Sequence, residues 1–146
     1  MMKKLTIITM LLGLFCLSAG AKGKQPIAFQ KLPKEVQKAA LQNYTNEDIL
    51  FITKQKELGK DHYAFMLADD TKIEFFENGK VYKVKSEKGV MDVFIPEVIL
   101  KYTNATFPNS TITAYKNEGW RQKLEINNSV DLIFSRKGKF LSVENF

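Results

Sequence analysis

The stretch Asp70-Thr71-Lys72-Ile73-Glu74-Phe75-Phe76-Glu77-Asn78-Gly79-Lys80-Val81-Tyr82-Lys83-Val84 recurs as Ser129-Val130-Asp131-Leu132-Ile133-Phe134-Ser135-Arg136-Lys137-Gly138-Lys139-Phe140-Leu141-Ser142-Val143. The copies align without a gap: Gly138 and Phe134 each lie 59 residues after Gly79 and Phe75. In the first copy Ile73 and Phe75 alternate with Lys72 and Glu74, the two-residue period of a strand buried on one face. Asn78-Gly79 supplies residues that tolerate a positive φ, so the stretch reads as a β-hairpin. Val130, Leu132 and Phe134 repeat the alternation. Lys137-Gly138 keeps the glycine without the asparagine, which predicts a longer, bulged turn in the second copy.

Upstream the correspondence continues. Leu32-Pro33-Lys34-Glu35-Val36 matches Ile95-Pro96-Glu97-Val98-Ile99, Tyr44 matches Phe107 and Ile49 matches Ile112, all 63 residues apart. The offset falls from 63 to 59 between Gln55-Lys60 and Lys116-Gly119, and a loop is where such a loss costs least. Pro33 and Pro96 suit a first helical turn, where the missing N–H has no partner to lose. Val36, Ala39, Ala40 and Tyr44 then recur at helical spacing up to Thr45-Asn46, and Val98, Ile99, Tyr102 and Phe107 do so up to Pro108-Asn109. Strand patterns follow at 49–54 and 63–67, and again at 111–115 and 120–126. The expected architecture is α+β: two tandem repeats, each a helix plus four antiparallel strands, forming one curved sheet with helices packed on one face.

The first residues read as a secretory signal. Met1-Met2-Lys3-Lys4 is basic, 5–17 is an apolar run too short to span a bilayer, and Ala19-Gly20-Ala21 is a small-x-small cleavage site. The chain is therefore expected to divide into a signal peptide at 1–21, a flexible start at 22–28, a first repeat at 29–86 and a second at 87–146, with 86–90 as a linker and both repeats sharing one core. Cleavage near Ala21 places the mature chain in the periplasm or outside the cell, with no membrane span.

Cys16, the only cysteine, leaves with the signal. Disulfides, thiol catalysis and cysteine metal sites go with it. The formal net charge of +6 becomes +4 once Lys3 and Lys4 are removed, and the remaining lysines are interleaved with acids as on a solvated sheet surface. Nucleic acid is not an expected partner, for want of a dense Arg/Lys stripe with stacking aromatics. His62 is the only histidine, expected as a solvated residue at a loop edge, and Asp69-Asp70 reads as a turn. No nucleophile elbow, phosphate loop or metal cluster is present in the pattern, so neither catalysis, a cofactor nor a metal is expected.

Two copies of Leu/Ile-Pro, a helix ending in Tyr or Phe, strands, and then Ile/Leu-x-Phe…Gly-Lys resemble the PepSY-like, β-lactamase-inhibitor-like family of bacterial periplasmic proteins. The likeness rests on Leu32-Pro33, Asp70, Ile73, Phe75, Gly79 and Lys80, and on Ile95-Pro96, Leu132, Phe134, Gly138 and Lys139. It implies a tandem helix-plus-sheet fold that presents an open sheet face, and, by analogy with PepSY domains, a role in restraining peptidases. β-Lactamase inhibitor proteins carry disulfides, which the mature chain has no cysteine to form.

Phe65, Leu67, Ile73, Phe75, Leu124, Ile126, Leu132 and Phe134 fall in one phase and form the expected core. Met66, Phe76, Tyr82, Tyr115, Trp120 and Ile133 are assigned to the opposite phase. With Arg121 beside them they would make an aromatic patch for a protein partner, an envelope or secreted protein, with the tips at Asn78-Gly79 and Lys137-Gly138 reaching over its rim. The expected function is thus a non-enzymatic exported binding module, acting as a protein or peptidase inhibitor; the alternative is a sensor or carrier holding a small envelope ligand in the concave sheet. The terminal strand at 139–145 leaves an edge free to pair, and the oligomeric state open.

Overall fold

Residues 23–145 are described in the computed structural model. Among these residues nine strands form one antiparallel sheet in which each strand pairs with the next in sequence: β1 (Lys24–Pro26), β2 (Ile49–Glu57), β3 (Lys60–Leu67), β4 (Lys72–Phe76), β5 (Val81–Lys85), β6 (Ile112–Asn117), β7 (Arg121–Ile126), β8 (Val130–Ser135) and β9 (Phe140–Asn145). Two α-helices precede the groups β2–β5 and β6–β9: α1 (Lys34–Leu41) after Pro33, and α2 (Glu97–Thr106) after Pro96.

The alternation that marks the strands becomes a continuous apolar row. Ile52, Phe65, Ile73, Val84, Tyr115, Leu124 and Leu132 lie each directly opposite the next across seven strands, and all are buried. Val36 and Ala40 of α1 and Ile99 of α2 join the same buried cluster, so the helices cover this face. Tyr102 of α2 stacks on Phe140 at 4.8 Å between ring centroids and meets Phe134 edge-on at 5.6 Å. Both short helices therefore depend on the sheet for their stability.

Four bulges set which side chains leave that row. Leu50 in β2 and Thr113 in β6 are extra residues against β3 and β7; Tyr82 in β5 and Leu141 in β9 are extra against β4 and β8. Each extra residue shifts the strand's phase by one, so a residue and its neighbour turn to the same side.

Several expectations are corrected. The start at 22–28 contains β1, whose Lys24 pairs with Gln55 and Pro26 with Thr53, and Ile27 N–H donates to the Ile52 carbonyl at 3.1 Å. Helix α1 stops at Leu41, and Thr45 instead forms a capping box with Asp48 around a short 3-10 turn. The segment 86–90 is more than a linker: Ser86 and Val90 are buried, and their N–H groups donate to Thr113 and Ile112 carbonyls at 2.9 and 2.8 Å.

The two hairpin turns are alike rather than different. Phe76 N–H donates to Lys80 and Gly79 N–H to Phe76, and Ser135, Lys139 and Gly138 repeat this pattern. In each turn the glycine takes a positive φ, +82° and +87°, while Asn78 and Lys137 do not; the bond that Asn78 Oδ1 accepts from Lys80 N–H at 3.0 Å is replaced in the second turn by one that Ser135 Oγ accepts from Lys139 N–H at 3.0 Å. The signal peptide at 1–21 lies outside the described residues.

Candidate functional site

The sheet face opposite the helices carries its own aromatic cluster where β3, β4 and β5 approach their turns. His62 and Phe76 are directly opposite each other in β3 and β4. Simple alternation would put Tyr82 with Val84 in the core; the β5 bulge turns it outward instead, onto the imidazole of His62 at 4.1 Å and the ring of Phe76 at 5.1 Å. Phe76 meets His62 edge-on at 5.1 Å.

His62 is thereby only 4% exposed, correcting its expected place at a solvated loop edge. The cover comes from strands remote in sequence. Its Nδ1 has no hydrogen-bond partner among the described residues and faces Glu57 Oε2 at 3.7 Å. That same oxygen accepts the Tyr82 hydroxyl at 2.7 Å. Burial first, and then this bond to a carboxylate, push the Tyr82 phenol above its ordinary range.

Glu57 has a specific origin. The four residues by which the first half exceeds the second lengthen the β2–β3 hairpin, whose ladder continues through Lys56 opposite Asp61 and Glu57 opposite Lys60; the β6–β7 ladder stops at Asn117 opposite Gln122. The length difference expected in a loop is thus mostly strand, and the extension supplies the carboxylate that ties down Tyr82.

A polar chain runs from the cluster to the next turn. Lys116 Nζ sits 5.4 Å from the Tyr82 ring centroid and 4.0 Å from Glu118, and Glu118 accepts from Arg121 Nε at 2.7 Å. The Arg121 guanidinium lies over the Trp120 ring at 4.5 Å, and Trp120, 69% exposed, stands in the turn before β7.

Of the residues expected on this face, Phe76 and Tyr82 meet directly, Arg121 and Trp120 lie at the far end of that chain, and Met66 sits in the row of Phe51 and Lys72. Ile133 belongs to the open face by register, opposite Lys123 and Ser142, but is 3% exposed and presents almost nothing to a partner. Tyr115 is corrected: it faces the helices, 3% exposed, because the extra Thr113 returns it to the phase of Ile112. Its hydroxyl donates to Gln122 Oε1 at 2.6 Å, and burial raises its pKa to about 12.

The two turn tips do not reach outward. A Cβ on Gly79 would stand 2.6 Å from the Glu35 carbonyl oxygen at the start of α1, and one on Gly138 would stand 3.3 Å from Val98 in α2. Both tips are docked against helices, so neither overhangs a partner.

Among the described residues no group of three or more His, Cys, Asp or Glu is placed to hold a metal ion, and no helix is long and apolar enough to cross a membrane.

The sequence profile of the family described as "Putative beta-lactamase-inhibitor-like, PepSY-like" matches this chain twice, over residues 21–83 and 60–142. The chain belongs to the PepSY-like family. Three solved structures share the PepSY-like fold seen here. One, from Bacteroides vulgatus, is described as a "putative periplasmic protein" of the DUF2874 family; it is 17% identical, with a TM-score of 0.76 over 86% of this chain and 100% of that one. A "putative calcium-regulated periplasmic protein" from Bacteroides thetaiotaomicron is 19% identical, with a TM-score of 0.75 over 84% of this chain and 97% of its own. Another Bacteroides vulgatus protein, described as a "putative periplasmic protein of unknown function", is 23% identical, with a TM-score of 0.75 over 84% and 100%. No match to this PepSY-like chain is found among the curated proteins.

Proposed function

We propose that this PepSY-like chain is an exported, non-enzymatic binding module, that its two helix-plus-four-strand halves act as one curved sheet, and that it takes a partner protein on the open face. The observation that carries the reading is the His62–Phe76–Tyr82 cluster, fixed by Glu57 on the side of the sheet that the hydrophobic core does not use. Aromatic rings held in one geometry lose little entropy on binding, and the neighbouring Trp120 and Arg121 are of the residue types that anchor interfaces.

The periplasmic descriptions of the structural relatives and the signal pattern at 1–21 support action outside the cytoplasm. The family description supports inhibition of an envelope or secreted hydrolase as the form binding takes. Calcium regulation, named in the description of one relative, has less support in this chain: its described residues offer no group of three His, Cys, Asp or Glu placed to hold an ion. A small-ligand carrier is also less well supported, since two hollows on the open face, about 450 and 240 Å³, are lined largely by charged side chains rather than apolar ones.

The test is capture from periplasmic and secreted extract with residues 22–146 as bait beside a folded Phe76→Ala/Tyr82→Ala variant. A protein held by the wild type and lost by the variant supports the reading. Identical capture by both, or capture by neither, refutes it.

A further inference from the structure

The open face places lysine opposite lysine three times. Lys72 pairs in register with Lys85, Lys83 with Lys116, and Lys116 with Lys123. Like charges directly opposite on one face destabilise a sheet. Nearby carboxylates relieve this only in part: Asp131 pairs with Lys123 at 3.0 Å, Glu118 is 4.0 Å from Lys116 but held by Arg121, and Glu125 accepts from Thr113 at 2.8 Å. Glu74 lies opposite Lys83 without closing an ion pair. Lys72, Lys83 and Lys85 make no ion pair among the described residues, and Lys85 borders both hollows, with Ala114 as the small floor between its neighbours.

We infer that the lysine rows of β4–β7 receive an extended acidic segment of the partner protein, a deepening that rests on the binding role proposed above. Charge complementarity selects the sign of the occupant, and spacing selects its shape. Four strands span about 14 Å at roughly 4.8 Å each, too wide for a single carboxylate or phosphate and equal to about four residues of extended chain. Alternate residues of that chain present acids about 7 Å apart on one face, matching lysines two positions apart on one strand, as Lys83 and Lys85 are, or diagonal across adjacent strands, as Lys72 and Lys83 are.

The experiment uses titration calorimetry on residues 22–146 with a capped alternating Glu/Thr peptide of about eight residues, its Gln/Thr counterpart, and vesicles of phosphatidylglycerol. The expected results are binding of the acidic peptide alone, weakening by about tenfold or more in Lys83→Gln/Lys85→Gln, and comparable weakening of the wild type when salt is raised to about 0.5 M. The double variant should melt at or above the wild-type temperature, because it removes repulsion, so lost binding is not lost folding. Equal affinity for the Gln/Thr peptide, no effect of the double variant, or binding to vesicles without binding to peptide would each overturn the inference. If the double variant captures the same envelope protein that Phe76→Ala/Tyr82→Ala loses, the acidic segment is wrong while the binding role stands.

Discussion

Tyr82 shows how one inserted residue decides what a strand presents. The β5 bulge moves it off the core phase, and Glu57 then receives its hydroxyl at 2.7 Å. Tyr82→Phe should keep the ring stack on His62 and remove this bond. Glu57 is exposed enough to rehydrate, so the expected loss is about 0.5–1.5 kcal/mol in chemical denaturation, with the helical and sheet signals unchanged. A loss above about 3 kcal/mol would mean that the hydroxyl organises much more than one contact.

Tyr115 supports a prediction with a defined pH sense. Its folded pKa is raised to about 12 by burial, above the ordinary phenol value near 10, so the folded state holds the proton longer than the unfolded one. The stability this gives is fully present below pH 10 and is lost as pH rises from about 10 to about 12. Tyr115→Phe should cost about 1 kcal/mol at neutral pH, because Gln122 Oε1 loses its donor, but should flatten the decline above pH 10. Urea midpoints between about pH 8 and 12 for both proteins check this, and parallel declines would show that other groups control alkaline unfolding.

These two tyrosines also mark where strand alternation stops being readable. Alternation placed Phe65, Ile73, Phe75, Leu124, Leu132 and Phe134 in the core, where they are. It put Tyr115 on the wrong face because the extra Thr113 is invisible to a period of two: a bulge is fixed by pairing with the neighbouring strand, not by local composition. His62 was misread for a related reason, since Tyr82 and Phe76, which bury it, come from β5 and β4.

Among the elements, the glycine turns are the sharpest case. Both glycines have positive φ, which costs a substituted Ala about 1–2 kcal/mol. At Gly138 the added Cβ meets the movable Val98 side chain at 3.3 Å; at Gly79 it meets the Glu35 backbone oxygen at 2.6 Å. Gly79→Ala should therefore destabilise by about 1–3 kcal/mol more than Gly138→Ala, through overpacking against the start of α1. Equal losses, read as midpoints in urea, would mean that α1 retreats freely from the turn. The sequence showed that both glycines were needed for a turn, but not that each turn docks on a helix about 40 residues away in sequence.

Across the whole molecule, the apolar row from Ile52 to Leu132 runs without a break through the β5–β6 pairing, where Val84 lies opposite Tyr115. Residues 86–90 are held to β6 by two backbone hydrogen bonds and contribute the buried Val90. A boundary between independent units would instead fall in exposed chain with few contacts across it. The two halves should therefore unfold together. Phe75→Ala and Phe134→Ala, one in each half and both buried, should each cost about 3–5 kcal/mol and each shift a single transition. Circular dichroism and the fluorescence of Trp120, which stands in the second half, provide the two probes. With Phe75→Ala the fluorescence transition should move as far as the circular dichroism transition. If the Trp120 transition stays at its wild-type position while the circular dichroism splits into two steps, each half has its own core and the sheet is two units joined at β5–β6.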